Sequence, residues 1–287
     1  MRQPDNELSS VVYTPESQMR SPVRLAKDML RDLKNSKELA WRLFVRDISA
    51  RYRQSFLGVF WAFLPALLSG LVFIVLQAKN VVSFGKVDIP YPVFAIIGTT
   101  LWQIFSESVN APLKAVQGGR AMLAKINFPR EALIVAAFYE LLCSVAIKLV
   151  VILVVIFSFK MSLEPGMLFA VPALLVLILF GMMLGLFLTP IGMLYSDIGS
   201  ALGVFLQFWF FVTPVVYPPP QSFPYSLITT FNPVSPLLVG VRNLITKGVL
   251  TNAPLFMIIS ACSLTGLLVA WIIYRVTMPI IIERMSS

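Results

Sequence analysis

From Met167 to Leu194 the chain runs without a charged residue. A stretch of that length crosses a hydrocarbon core of about 30 Å as a helix, and a soluble fold has no comparable use for it. Bracketing the other apolar runs by charges and turn formers gives six candidate spans, at about 57–78, 91–112, 132–159, 167–194, 200–217 and 254–274. Only 13% of the 287 residues are charged, against roughly 25% in soluble domains. The fold class this predicts is an all-α polytopic membrane protein with six transmembrane helices.

Charge placement orients it. The chain carries a formal charge of +9, and eleven of its 23 Lys and Arg residues lie in the first 56. With a cytoplasmic N-terminus, inward-facing segments hold seventeen basic residues against five outside, so the positive-inside rule puts both termini in the cytoplasm. Charge distributed this way points to topology and lipid head groups, not to nucleic acid. Residues 1–22 are polar and lack the apolar core of a signal peptide, so the first span is expected to serve as its own insertion signal.

Residues 1–21 read as a disordered tail and 22–55 as an amphipathic region ahead of the transmembrane domain, 56–287. In that region Val23, Ala26, Leu30, Leu33, Ala40, Phe44 and Ile48 recur near a 3.6-residue period opposite Lys, Arg and Asp. Asn35 followed by Glu38 resembles a capping box, which predicts two consecutive helices, near 22–34 and 36–55. A basic amphipathic segment before a first span belongs in the membrane interface or on a partner's surface.

The chemistry the chain lacks is informative. It has no GxxxxGK[ST] phosphate loop, no His, and only Cys143 and Cys262, which lie deep in apolar runs and read as small buried packing residues. Neither an ATPase, a metal site nor an enzyme is expected. Glu107, Glu140 and Lys148 are the ionisable residues inside spans, where such groups default to functional hypotheses. Glu140 and Lys148 lie about 12 Å apart along one helix, too far for a direct pair. An ion-coupled secondary transporter using Glu140 or Lys148 is the rival reading.

Three further patterns concern packing and a conduit. Gly181-x-x-x-Gly185 and Gly199-x-x-x-Gly203 allow close helix approach. The fifth span is dense in Phe205, Phe208, Trp209, Phe210, Phe211 and Tyr217, flat apolar rings suited to sugar faces. Tyr217 and Phe211 fit an interfacial belt equally well. The segment 218–253 has prolines at 218, 219, 220, 224, 233 and 236. Its apolar pieces are too short to span, and non-helical backbone at membrane depth needs protein or a cavity around it. Two short re-entrant outer helices are expected between spans 5 and 6, in place of an ordinary outer loop.

In order along the chain, these features resemble the type-2 ABC exporter permeases that secrete polysaccharides such as O-antigen, capsule and teichoic acid. The run Arg51-Tyr52-Arg53-Gln54-Ser55 with Leu57-Gly58 and Trp61 is the most specific match. Lys125-Ile126-Asn127-Phe128-Pro129-Arg130-Glu131 is similar to the family's loop between spans 2 and 3. Thr213-Pro214-Val215-Val216-Tyr217-Pro218 is the third match, followed by Phe231-Asn232-Pro233 and Gly240-Val241-Arg242. The loop's start, Gly118-Gly119-Arg120, departs from the family's Asn-rich pattern.

The resemblance implies a permease in the bacterial inner membrane that pairs with a second copy of itself. Two copies of a separate ATPase subunit would hold the ATP and Mg²⁺. The cargo would be a lipid-linked polysaccharide, O-antigen-like, with capsule, teichoic acid or a small lipid or drug as alternatives. Arg46, Arg51, Tyr52 and Arg53 would belong to an interface helix. Lys125, Phe128, Pro129, Arg130 and Glu131 would lie in the ATPase-coupling loop, with a smaller contact at Asp197. Phe205, Phe208, Trp209, Phe211 and Tyr217 would line a channel. Phe223, Tyr225, Phe231, Asn232 and Pro233 would form an outer gate.

Overall fold

The computed structural model describes residues 22–53, 60–79, 87–125, 128–220, 222–223 and 225–286. The tail expected over 1–21 and the start of the first span at 57–59 lie outside them. Among the described residues the regular structure is helical throughout, with no strand.

Helix α1 runs unbroken from Pro22 to Arg53, which corrects the expected pair of helices. No capping box forms at Asn35. Instead Ser36, fully buried, donates its hydroxyl to Asp32 O at 2.6 Å, a bond back along a continuing helix. With no Gly or Pro at the junction and Met29, Ala40 and Leu43 buried on one side, packing carries the helix across.

Helix α2 spans Phe60–Ala78 and α3 Tyr91–Gly118, longer than the expected 91–112. α3 passes through Pro112, which is buried. A turn at Gly119 leads to the short α4 (Arg120–Lys125), and α5 follows over Glu131–Ser158. A 3₁₀ turn, Pro165–Phe169, opens into α6, Ala170–Leu194. α7 covers only Asp197–Val212, so the expected fifth span is cut short. Thr213 is extended (φ −93°, ψ 137°) because Pro214 follows it and excludes the helical region. Sixteen residues make about 24 Å of helix, less than a hydrocarbon core. α8 (Tyr225–Phe231) and α9 (Val234–Lys247) are the two short helices anticipated in 218–253. α10 runs from Ala253 to Ser286, well beyond the expected 254–274. Gly248 caps α9 at φ 67°, a left-handed conformation that glycine adopts without strain.

α6 is the central pillar, packed against α3, α7, α9 and α10. Its first small-residue pair works as the sequence predicts. A Cβ on Gly181 would lie 2.6 Å from Ser108 Cβ, and one on Gly185 would lie 2.1 Å from Val109 O. The second pair, Gly199 and Gly203, faces open space in the protomer. Ile97, Leu101, Phe105, Leu177, Ile178, Leu237 and Val241 form the core around this contact.

Three helical stretches among the described residues are long and apolar enough to cross a membrane: Glu131–Ser158, Pro165–Leu194 and Ala253–Arg284. Large apolar side chains point outward from them, among them Val150, Val154 and Phe157 on α5 and Ile258 and Leu268 on α10. Water would penalise such faces, whereas acyl chains accept them. Cys143 is half-buried and Cys262 exposed on α10. The expectation of buried packing therefore fails for Cys262, which lies on the outer face of a helix and not against a neighbour.

Candidate functional site

Two polar assemblies stand out in this apolar bundle, one at the end where α1 and α4 lie, the other beneath α8 and α9. At the first, α1 packs against α5. Trp41 and Phe44 clasp Tyr139 of α5, each ring 6.0 Å from it. Further along, Arg51 pairs with Glu140 of α5 at 2.6 Å. Near the start of α1, Asp32 accepts from Arg275 Nη2 at 2.6 Å, while Arg275 Nη1 donates to Glu131 at 2.7 Å. Side-chain exposure is 8% for Arg275, 8% for Glu131 and 15% for Asp32. One guanidinium thus ties α1, the first residue of α5 and α10 together. Its planar fork suits two carboxylates at once, which an ammonium cannot match. Tyr274, fully buried beside it, donates to Arg130 O at 3.2 Å.

These contacts place the residues expected in a coupling loop. Lys125 is exposed at the end of α4, and Phe128 is half-buried against a small core that includes Leu123 and Leu133. Pro129 and Arg130 form the turn into α5, and Glu131 points inward to Arg275. On α1, Arg46 is bound by Asp47 at 2.7 Å, a hydrogen bond that holds its guanidinium above the ordinary value. Arg53 is exposed, and the Tyr52 side chain lies outside the described residues.

The ionisable residues within the apolar helices sort into separate pairs. Lys148, fully buried, donates to both Glu107 oxygens at 2.7 and 2.6 Å and to Ser144 Oγ at 2.8 Å. Ser144 donates to Glu107 at 2.9 Å. Glu140 belongs to Arg51, so Glu140 and Lys148 do not pair with each other, as their spacing required. Lys148 is fully buried, while the Glu107 side chain stays 43% exposed, so the buried ammonium is compensated by a carboxylate that faces open space.

The second assembly encloses the non-helical stretch after α7. Arg242 on α9 is 1% exposed; its Nη1 donates to Pro214 O at 3.0 Å and Val215 O at 2.9 Å. Its guanidinium lies 3.8 Å from the centroid of the Phe94 ring. Tyr91 donates to Val216 O at 3.0 Å. Asn232 donates to Thr213 Oγ1 at 2.8 Å and accepts from Trp209 Nε1 at 3.1 Å and from Val234 N–H. Carbonyls that helix would otherwise satisfy are met by side chains from two helices, Arg242 of α9 and Tyr91 of α3. Replacing Arg242 with Leu leaves two buried carbonyls unpaired, and should lower unfolding stability in detergent by about 2 kcal/mol. An unchanged denaturation midpoint would argue against this support.

The aromatic residues divide. Phe205, Phe208 and Phe211 are more than half exposed on the protomer. Trp209 is half-buried against Phe105 and Trp102, and Tyr217 donates to Phe211 O at 3.0 Å. Of the outer residues, Phe223 and Phe231 are exposed and Asn232 is buried. Pro233 is half-buried, and the Tyr225 side chain lies outside the described residues. Trp209 and Asn232, which the sequence assigned to separate groups, meet here. Lys247 at the end of α9 binds the exposed Asp88, holding its carboxyl below the usual range. Reading along the chain missed Asp32 and Arg275 as a unit; the available signal was a lone Arg following an apolar run.

Among known proteins, the chain is 28% identical over 254 residues to the O-antigen export system permease protein RfbA of Myxococcus xanthus, covering 86% of this chain and 95% of that one. The protein of the same name from Klebsiella pneumoniae is 25% identical over 214 residues, covering 71% and 79%. The polysialic acid transport protein KpsM of Escherichia coli is 24% identical over 242 residues, covering 81% and 91%. The family model described as ABC-2 type transporter matches residues 38–246, from the middle of α1 to the end of α9, which takes in the second polar assembly and the α1–α5 contacts of the first but not Asp32 or Arg275. On this match the chain belongs to the ABC-2 type transporter family.

Proposed function

We propose that this chain is the membrane permease subunit of an ABC exporter that moves a lipid-linked, O-antigen-like polysaccharide outward across a bacterial inner membrane. The supporting observation is the nearly full-length similarity to an O-antigen export permease. In this reading the chain crosses the membrane six times with both termini in the cytoplasm. The three long apolar helices are joined in the membrane by α2, α3 and α7. Two copies form a conduit and two copies of a separate ATPase subunit bind ATP and Mg²⁺ below.

The permease performs no covalent step. ATP binding brings the ATPase subunits together, and the motion enters through α1 and the segment from Gly119 to Arg130 that joins α3 to α5. The Arg275 bridge makes those two inputs one body, because α1 and the loop's exit share a guanidinium. At the far end, α8 and α9 close the conduit, and the Arg242 and Asn232 bonds hold their hinge.

The test is reconstitution. Export of a lipid-linked glycan into vesicles should require an added ABC ATPase and ATP; export driven by an ion gradient alone would overturn the reading in favour of a secondary transporter. The similarity to a polysialic acid transport protein makes capsule polymer the second cargo to try. Within the first reading, Phe128→Ala or Arg130→Ala should leave the ATPase bound while export falls about tenfold or more per ATP hydrolysed. Wild-type coupling in both variants would remove the loop from the transmission path.

A further inference from the structure

A cavity of about 670 Å³ lies between α1, α3 and α5, running from the Gly119 turn up to Glu107. Its size falls within the ordinary range for small-ligand sites. The room comes from small residues on facing helices: Ala111 and Ala115 on α3, Ala136 and Ala137 on α5. The polar wall is a row on α3, Ser106, Glu107, Asn110 and Lys114, opposite Arg46 and Arg51 of α1.

The charges of this lining cancel in pairs with one exception. Asp47 is met by Arg46, Glu140 by Arg51, and Glu107 by Lys148 from behind the wall. Lys114 has no ion-pair partner among the described residues, so the cavity presents one uncompensated positive charge beside an amide and hydroxyls. A group with a single negative charge and hydrogen-bonding substituents complements that lining. A diphosphate does not, because its further charges would face Asp47, Glu107 and Glu140. The cavity's place beside α1, the amphipathic helix, is the depth at which lipid head groups lie.

We propose that this cavity holds the head group of one bilayer phospholipid, its phosphodiester on Lys114 and its amine or hydroxyls against Asn110 and Glu107. The assignment is independent of the polymer exported. It is tested on the purified full-length chain in detergent, titrated with phosphatidylethanolamine or phosphatidylglycerol, with diacylglycerol and inorganic phosphate as comparisons. Native mass spectrometry reads lipid retained per chain, and thermal melting reads its protection.

One phospholipid should remain per chain, diacylglycerol should not replace it, and Lys114→Gln should weaken retention about tenfold. Ala137→Leu, which fills the apolar wall, should abolish it, while Lys160→Gln in the α5–α6 connection should not. Lys114 is exposed, so its variant keeps the test valid if Ala137→Leu fails to fold. Wild-type retention in Lys114→Gln, or equal protection by inorganic phosphate or diacylglycerol, would overturn the proposal.

Discussion

Replacing Arg275 with Met is expected to lower the melting temperature of the detergent-solubilised permease markedly and, on the function proposed above, to uncouple export from ATP hydrolysis by a partner subunit. The variant leaves Asp32 and Glu131 as two buried carboxylates facing each other without a cation. Removing one partner from a buried ionic cluster costs about 3–5 kcal/mol, most of it the penalty of the charges left behind. Two controls separate that penalty from simple loss of packing. Combining Arg275→Met with Asp32→Asn and Glu131→Gln removes the stranded charges and should recover most of the stability. Arg275→Lys should recover only part, since an ammonium is a compact point charge on a flexible stem and lacks the rigid planar fork that meets the two carboxylates in fixed geometry. Coupling has a different signature. The triple variant, though stable, lacks the bridge between α1 and the loop's exit, so in the proposed assembly the partner ATPase should hydrolyse ATP with less export per turnover. A triple variant as tightly coupled as the wild type would confine the cluster to a purely structural role.

The second large effect is expected at Gly185→Ala. A single methyl there would sit 2.1 Å from Val109 O and 3.0 Å from Pro112 Cδ, and the first contact is backbone that cannot rotate away. α3 and α6 must separate or tilt to admit it. Helices in a bilayer associate through close packing, so the separation loses the interaction that holds the centre of the bundle. A loss of about 3 kcal/mol is expected, read as a lower midpoint in detergent denaturation and less folded protein in the membrane. Gly203→Ala is the matched control. Nothing lies within 4 Å of its added methyl, so the protomer should melt as wild type and any effect should fall on pairing with a second copy. Equal midpoints for the two variants would mean that α3 and α6 yield more readily than their packing implies.

The two glycine pairs mark how far reading the chain reaches. Both have the same spacing, and both read as contact points. Gly181 and Gly185 meet α3, whereas Gly199 and Gly203 meet nothing in the protomer. Spacing places two small residues on one helix face; the facing helix is not written locally. The failed break at Asn35 has the same origin. The capping signal is real in residue type, but α1 is packed along its length, and the cost of interrupting those contacts exceeds one cap of about 1 kcal/mol. The early end of α7 could be anticipated, because Pro214 restricts the residue before it whatever the surroundings.

What the order of residues settled was everything governed by near neighbours. Apolar run length makes α5, α6 and α10 able to span a membrane and proline breaks 218–253 into two short helices, whereas the apolar period of α1 identifies Ala40 but not Met29, Ser36 and Leu43, which are buried with it, and Leu30 of that period is exposed. Partner choice came from packing alone. Arg275 finds Glu131 at a separation of 144 residues and Asp32 at 243, and Lys148 finds Glu107 at 41. In an apolar bundle a charge must be met by whichever opposite group the fold carries within reach. That reach is set by how helices cross, which helical periodicity does not encode.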